Sequence, residues 1–314
     1  MNDIHEASEK FQAILYADDT NLLATLCSFN TSLDNASDLN TLSENINTEL
    51  NNIQEWLNIN KLSLNVKKTK FMIFHYYQRN INNLIPNLKI NGEQIEQVSD
   101  FNFLGLTIDQ NLNWNSHIQK ISHKVARSLG VLNILKRFLP AGILRTMYNA
   151  LVLPHLQYSI LSWGFKNNRL NKLQKRAIRI ITNSKYNAHT EPLLKRLNLL
   201  KLDDIFRINV LKLFYKYRSN TLPAYFMNMF SDAVANHDYD IRGHSILHQP
   251  RVRTAGGKDC VRYYLPHLLG KTKNDIIEKV NTHSYIGFSK YIKVVTIQSY
   301  IASCTLTNCY VCQN

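Results

Sequence analysis

Four consecutive residues, Tyr16-Ala17-Asp18-Asp19, have the most direct route to chemistry in this sequence. They stand between two apolar runs, FQAILY (11–16) and TNLLATL (20–26), a spacing that predicts a tight β-hairpin with both acids at its tip. Nucleotidyl transfer needs two divalent cations about 4 Å apart, one beside the attacking oxygen and one beside the leaving oxygen. Adjacent aspartates on a hairpin can offer carboxylate oxygens to such a pair, provided a rigid sheet holds them against their mutual repulsion. A hydrated Asp-Asp turn has the same signature and is common, so the four residues alone leave both readings open.

The surrounding elements must do the positioning. Leu33, Ala36, Leu39, Leu42, Ile46, Leu50, Ile53 and Leu57 recur every three or four residues, one face of a long amphipathic helix. KFMIF (70–74) reads as a strand, and further short strands are expected at LKI (88–90) and within FNFLGLTID (101–109), with Asn91-Gly92 as a turn. From about residue 113 the period becomes helical. Ile118, Ile121, Val125, Leu129 and Leu132 form one stripe, with Lys120, Lys124 and Arg127 on the other face. A second helix sets Leu170, Leu173, Ala177 and Ile181 against Lys172, Lys175, Arg176 and Arg179. A helix is expected from 141 to 153, ending at Pro154. Another should start at Thr190-Glu191-Pro192 with Thr190 as N-cap, and a third should run over 203–218. Residues 231–270 read mostly as loop with short elements, followed by helices near 273–281 and 286–303.

Charge divides the chain. Residues 1–60 hold ten Asp or Glu and a single Lys, Lys10, whereas residues 117–218 hold twenty Lys or Arg against Glu191, Asp203 and Asp204. With 37 basic and 23 acidic residues the net charge is +14, which calls for a polyanionic partner but does not by itself choose nucleic acid over a membrane surface. The basic block favours phosphate contact over a merely solvated face. The amino-terminal MNDIHEASEKF has no apolar core of a signal peptide, and the most apolar stretch, ALVLPHLQYSILSWG, is too polar and short to span a bilayer. An odd count of five cysteines without a leader points to a reducing, intracellular setting, nucleus or cytoplasm.

Taken in order, the segments resemble one family. MNDIHEASEKFQAILYADDTNLLAT is similar to the catalytic hairpin of non-LTR retrotransposon reverse transcriptases of the jockey-like group. LNINKLSLNVKKTKFMIF resembles the next palm segment, with Asn65 and Lys68-Thr69 in place. FNFLGLTID resembles the primer-grip hairpin, centred on Phe103-Leu104-Gly105, and WNSHIQKISHKVARSLGVLNILKR the start of the thumb. MYNALVLPHLQYSILSWG and LNKLQKRAIRIIT resemble the segments that follow, with weaker similarity through PRVRTAGGKDCVRYYLPHLL. The resemblance implies an RNA-directed DNA polymerase that uses RNA template, DNA primer, dNTP and two Mg2+ ions. It makes Asp18 and Asp19 the catalytic metal ligands, with Tyr16 and Ala17 near the primer end and incoming nucleotide. Phe103, Leu104 and Gly105 would hold the primer strand. Lys68 would stand near the leaving pyrophosphate, although a surface lysine fits its position as well. Lys120, Lys124 and Arg127 would track phosphates, as would Lys172, Lys175, Arg176 and Arg179; a solvated face remains open for the second set.

The implied fold class is α+β: an incomplete palm over 1–112, a helical thumb and basic extension over 113–230, and a loop-rich and helical region over 231–314. The palm strand that supplies the family's first metal-binding aspartate precedes the hairpin, and only fifteen residues do so here; Asp3 belongs to a different feature of the family. The 314 residues are therefore expected to be a polymerase piece, inactive alone, with a non-catalytic nucleic-acid-binding protein or a translated relic as the other readings. Cys304, Cys309 and Cys312 approach metal-ligand spacing but lack a marked fourth ligand, so zinc is not expected. His237, His244 and His248 read as surface residues.

Overall fold

The computed structural model describes residues 3–17, 19–29, 36–75, 86–165, 167–233, 246–272 and 274–301. Its chain divides into two compact units, Met1–Leu112 and Asn113–Asn314. The architecture mixes helices with small sheets, and among the described residues every sheet is two-stranded.

In the first unit, helix α1 (Ala36–Ile59) buries Leu42, Leu50, Ile53 and Leu57, the stripe that its sequence period predicts. Strands β1 (Gln12–Tyr16) and β2 (Asp19–Leu23) pair antiparallel from Gln12↔Leu23 to Tyr16↔Asp19. Strand alternation turns Ala13, Leu15 and Leu22 onto a cluster of Ile4, Ile53 and Leu57, so the hairpin lies on α1. Strand β3 (Lys70–Phe71) runs parallel to β6 (Glu96–Gln97), while β4 (Lys89–Ile90) and β5 (Glu93–Gln94) form a hairpin. Asn91 and Gly92 both have positive φ at that turn, as a two-residue connection of the right hand requires. A second such hairpin joins β7 (Asp100–Phe103) to β8 (Leu106–Asp109) through Leu104 and Gly105, with φ of 46° and 81°.

One expected strand is much shorter than its sequence suggests. KFMIF pairs only at Lys70 and Phe71. The partner β6 is two residues long, and after the Val98 N–H donates to the Phe71 carbonyl the chain leaves to begin β7. Met72, Ile73 and Phe74 therefore have strand-forming side chains but no parallel ladder to join.

The second unit is helical: α2 (Asn115–Leu135), α3 (Ala141–Leu151), α4 (Leu153–Gln157), α5 (Ile160–Trp163), α6 (Asn168–Ile181), α7 (Thr190–Leu197), α8 (Leu202–Arg218), α9 (Ala224–Met227), α10 (Ala255–Lys258), α11 (Val261–Leu269), α12 (Asn274–Thr282) and α13 (Tyr285–Gln298). Helix α2 buries Ile118, Ile121, Val125, Leu129 and Leu132 as its stripe predicts. Helix α8 is the hub, packed by α4, α5, α6, α11, α12 and α13. Accordingly it buries Leu202, Ile205, Phe206, Ile208, Val210, Leu211 and Phe214, more than one face of a surface helix holds. Helices α11, α12 and α13, all from 231–314, pack on α8.

Several boundaries differ from the sequence reading. Helix α3 stops at Leu151, two residues short of the expected end, and Pro154 sits in the first turn of a separate helix, α4, where no intrahelical N–H is needed. Helix α7 takes His189, not Thr190, as its N-cap. The stretch expected to be mostly loop with short elements contains the nine-residue α11, whose Pro266 is tolerated where Leu265, Leu268 and Leu269 bury against the hub. The last helix stops at Gln298 rather than 303.

Buried polar groups join these helices. Gln174 Nε2 donates to the Tyr148 hydroxyl and to the Leu200 carbonyl, each at 3.0 Å, while its Oε1 accepts from the Leu202 N–H at 2.8 Å. Asn167 and Asn171 both donate to Asp203 Oδ1. The Tyr300 hydroxyl donates to Asp204 Oδ2 at 2.5 Å and accepts from the Lys201 N–H, and burial together with that carboxylate raises its pKa.

Candidate active site and nucleic-acid interface

Among the described residues the acidic hairpin is packed on one side. Ala13, Leu15 and Leu22 face α1, which leaves Ile14, Tyr16 and Leu23 on the outer face, 43%, 61% and 43% exposed. Tyr16 pairs with Asp19 at the end of the ladder, and Ala17 follows β1 in the turn. Ala17 has φ 53°, a left-handed conformation that a residue with a Cβ adopts at some cost and that a tight hairpin of this hand needs. Asp19 is exposed at the first position of β2. Asp18, the more central of the expected ligands, lies outside the described residues, as do Cys304, Cys309, Cys312, His237 and His244. Asp3 precedes the short 3-10 turn Ile4–Glu6. Among the described residues no cluster of three or more His, Cys, Asp or Glu side chains is placed to hold a metal ion.

Phe103, Leu104 and Gly105 occupy the tip of the β7–β8 hairpin, with Phe103 and Leu104 half-buried and Gly105 exposed. Lys68 is exposed in a turn organised by Asn65, whose carbonyl accepts from the Lys68 and Thr69 N–H groups and whose Oδ1 accepts again from Lys68. That bonding explains why Asn65 and Lys68-Thr69 occur together: the asparagine shapes the turn that presents the lysine.

In the second unit Lys120, Lys124 and Arg127 are exposed on α2, and Lys172, Lys175 and Arg176 on α6. Arg179 differs from the other basic residues of its helix. It is half-buried, its Nε donates to the Ala188 carbonyl at 2.9 Å, and burial lowers its pKa. The block's three acids are engaged internally. Asp203 serves Asn167 and Asn171, Asp204 serves Tyr300 and Arg207, and Glu191 accepts from Lys201 and the Ile301 N–H. The bonded Lys201 ammonium holds the Glu191 carboxyl below the usual range. These three carboxylates pair with Lys201 and Arg207 or with uncharged groups and with none of the exposed cations Lys120, Lys124, Arg127, Lys172, Lys175 and Arg176.

The sequence reading missed two histidines beside the α2 stripe. His117 packs between Trp114 and Trp163, and burial, then Lys120 and Lys124, pulls its pKa down to about 4. His155 on α4 is also lowered, by burial and by Lys124. It also missed Val131, Ile134 and Phe138, which continue the line of Lys120, Lys124 and Arg127 along α2 and its closing turn; the same three- and four-residue spacing, followed past Arg127, finds them.

Parts of this sequence resemble known proteins. The chain is 27% identical to the probable RNA-directed DNA polymerase from transposon BS of Drosophila melanogaster over 37% of its length and 14% of that protein. It is 26% identical to the RNA-directed DNA polymerase from mobile element jockey of the same organism over 49% of the chain and 17% of that protein. This chain is similar to non-LTR retrotransposon reverse transcriptases. The jockey polymerase of Drosophila funebris extends the match to 50% of the chain, at 24% identity and 18% of its own length. The chain thus matches less than a fifth of each of these curated relatives. No family model and no solved structure matches. No helix of the reverse-transcriptase-like chain is long and apolar enough, among the described residues, to cross a membrane.

Proposed function

We propose that this chain supplies part of an RNA-directed DNA polymerase: the acidic palm hairpin and primer-side hairpin from residues 1–112, the thumb and basic extension from 113–230, and a carboxy-terminal region from 231–314. The observation that supports the reading most is the register of β1 and β2, which pairs Tyr16 with Asp19 at the end of the ladder. In a polymerase of this kind the primer 3′-oxygen attacks the α-phosphorus of a dNTP and pyrophosphate leaves. Asp18 and Asp19 would be ligands for magnesium, whose preference for hard carboxylate oxygens they suit. Bound there, magnesium polarises the attacking and leaving oxygens. Tyr16 and Ala17 stand beside the primer end and incoming nucleotide; Phe103, Leu104 and Gly105 support the primer strand; Lys68 lies towards the pyrophosphate. The exposed cations of α2 and α6 take backbone phosphates of template and primer.

Two adjacent carboxylates carry too little negative charge to hold two divalent ions, so the 314-residue polypeptide made by itself is inactive. Primer extension on an RNA template with magnesium and dNTP tests this. No product is expected from the 314 residues. Product is expected when the corresponding upstream polymerase segment of the jockey relative is joined before residue 1, and Asp18→Asn or Asp19→Asn should abolish it. Extension by the 314 residues unaided overturns the proposed inactivity. Extension by the joined protein that survives both substitutions overturns the catalytic assignment.

A further inference from the structure

The line of Lys120, Lys124 and Arg127 continues where its charge ends. The same steps of three and four residues lead to Val131, Ile134 and, in the turn after α2, Phe138. At about 100° per residue the five on α2, Lys120 to Ile134, lie within about 40° of one line along the helix, about 21 Å long at about 1.5 Å per residue, and Phe138 follows in the turn. The buried arc of Ile118, Ile121, Val125, Leu129 and Leu132 points elsewhere. Val131, Ile134 and Phe138 are 45%, 64% and 76% exposed. Scattered exposed apolar residues need no explanation, but a row of them that extends a row of cations offers two chemistries on one surface.

The occupant must bring anions to the first half and flat apolar faces to the second. An unpaired nucleic-acid strand does both, because its phosphates are anionic and its bases have exposed faces. A duplex keeps its base faces inside the stack, where Phe138 cannot reach them. We infer that the outer face of α2 binds an unpaired nucleic-acid strand, with phosphates on Lys120, Lys124 and Arg127 and bases on Val131, Ile134 and Phe138. This rests on the proposed nucleic-acid role of the chain and adds the strand state that its α2 face selects.

Fluorescence anisotropy on the 314-residue chain tests it, with labelled single strands of DNA and RNA and a blunt duplex of equal length as probes. The single strands should bind more tightly than the duplex. Phe138→Ala should weaken single-strand binding about tenfold or more, from one lost stacking contact, and leave duplex binding unchanged. Lys124→Gln should reduce the slope of log affinity against log salt by about 0.7 for a single strand. Both side chains are exposed, so circular dichroism of the variants should match the parent.

If Phe138→Ala leaves single-strand binding unchanged while Lys124→Gln lowers the slope, the base contact is wrong and nucleic-acid binding stands. If neither substitution alters binding, α2 is not the site. If no probe binds even at low salt, the nucleic-acid reading itself fails. Should Phe138→Ala instead turn a self-associated chain monomeric in sedimentation velocity without altering single-strand binding, the apolar half is a contact between copies and the inference fails.

Discussion

His117 shows how one residue can link the basic face to the stability of the unit beneath it. Its ring lies between Trp114 and Trp163, and burial, reinforced by Lys120 and Lys124, holds its pKa at about 4 against an ordinary 6.5. Above pH 6.5 the ring is neutral whether the chain is folded or not. As the pH falls from 6.5 towards 4, unfolded chains take up a proton that the folded chain refuses, so stability falls across that window. The difference amounts to at most about 3 kcal/mol. Urea unfolding at pH 7 and at pH 4.5 should show this loss in the parent chain, and His117→Gln should show a correspondingly smaller one. An equal loss in both would mean that His117 titrates normally. Nucleic acid bound at the Lys120–Lys124 stripe would screen those two ammonium groups and raise the same pKa, since negative phosphate favours the imidazolium.

At the scale of elements, close approach rather than helix propensity decides several features. Gly164 ends α5, and a Cβ there would lie 2.5 Å from both the Ile160 carbonyl oxygen and Phe206 Cδ2. Phe206 belongs to the hub helix and packs on Phe165 and Tyr264, so it has little room to withdraw. Gly164→Ala should therefore lower stability by about 1–3 kcal/mol. Thermal unfolding of the variant measures it, and an unchanged midpoint would show that Phe206 can move. The β7–β8 tip depends on backbone freedom in another way: Gly105 has φ 81°, where a side chain is strained even without a neighbour to strike. Gln174 is the polar counterpart of these close contacts. One side chain meets the Tyr148 hydroxyl, the Leu200 carbonyl and the Leu202 N–H, and so ties α6 to α3 and to the start of α8. The bond from Gln174 lowers the Tyr148 pKa, but burial outweighs it and pushes the group up to about 12.

For the whole molecule, the division between Leu112 and Asn113 is the main organising fact. The second unit has its own core, in which Val125, Leu132, Tyr148, Val152, Leu156, Trp163, Leu170, Leu202, Val210 and Phe288 are all fully or almost fully buried. It also has its own carboxy-terminal clamp. Lys195 donates to the carbonyls of Gln298 and Tyr300, and Tyr300 locks onto Asp204 and Lys201. A polypeptide of 113–314 should therefore fold by itself, with a cooperative thermal transition and helical circular dichroism. A broad, non-cooperative transition would show that it needs residues 1–112. Binding of nucleic acid by that shorter polypeptide should keep its salt dependence, because the exposed cations of α2 and α6 belong to it.

Much of this was legible in residue order. The 3.6-residue stripes of α1 and α2, the Asn91-Gly92 turn, the hairpin around Leu104-Gly105 and the acidic doublet's hairpin all follow from local periodicity and turn chemistry, because burying one face of a helix or strand and reversing a chain each demand particular residues at short range. The resemblance to jockey-like polymerases was likewise present in the order of segments. Tertiary packing settled what short-range patterns leave open. It let Pro154 and Pro266 stay helical, cut KFMIF to two paired residues, made α8 a hub, tied Arg179 to the Ala188 carbonyl, and drew Glu191, Asp203 and Asp204 into internal bonds rather than bonds to the exposed cations of α2 and α6. The reason is physical: a side chain's local pattern states what it can do, but its free energy depends on neighbours distant in sequence, and only the folded chain brings those neighbours within reach.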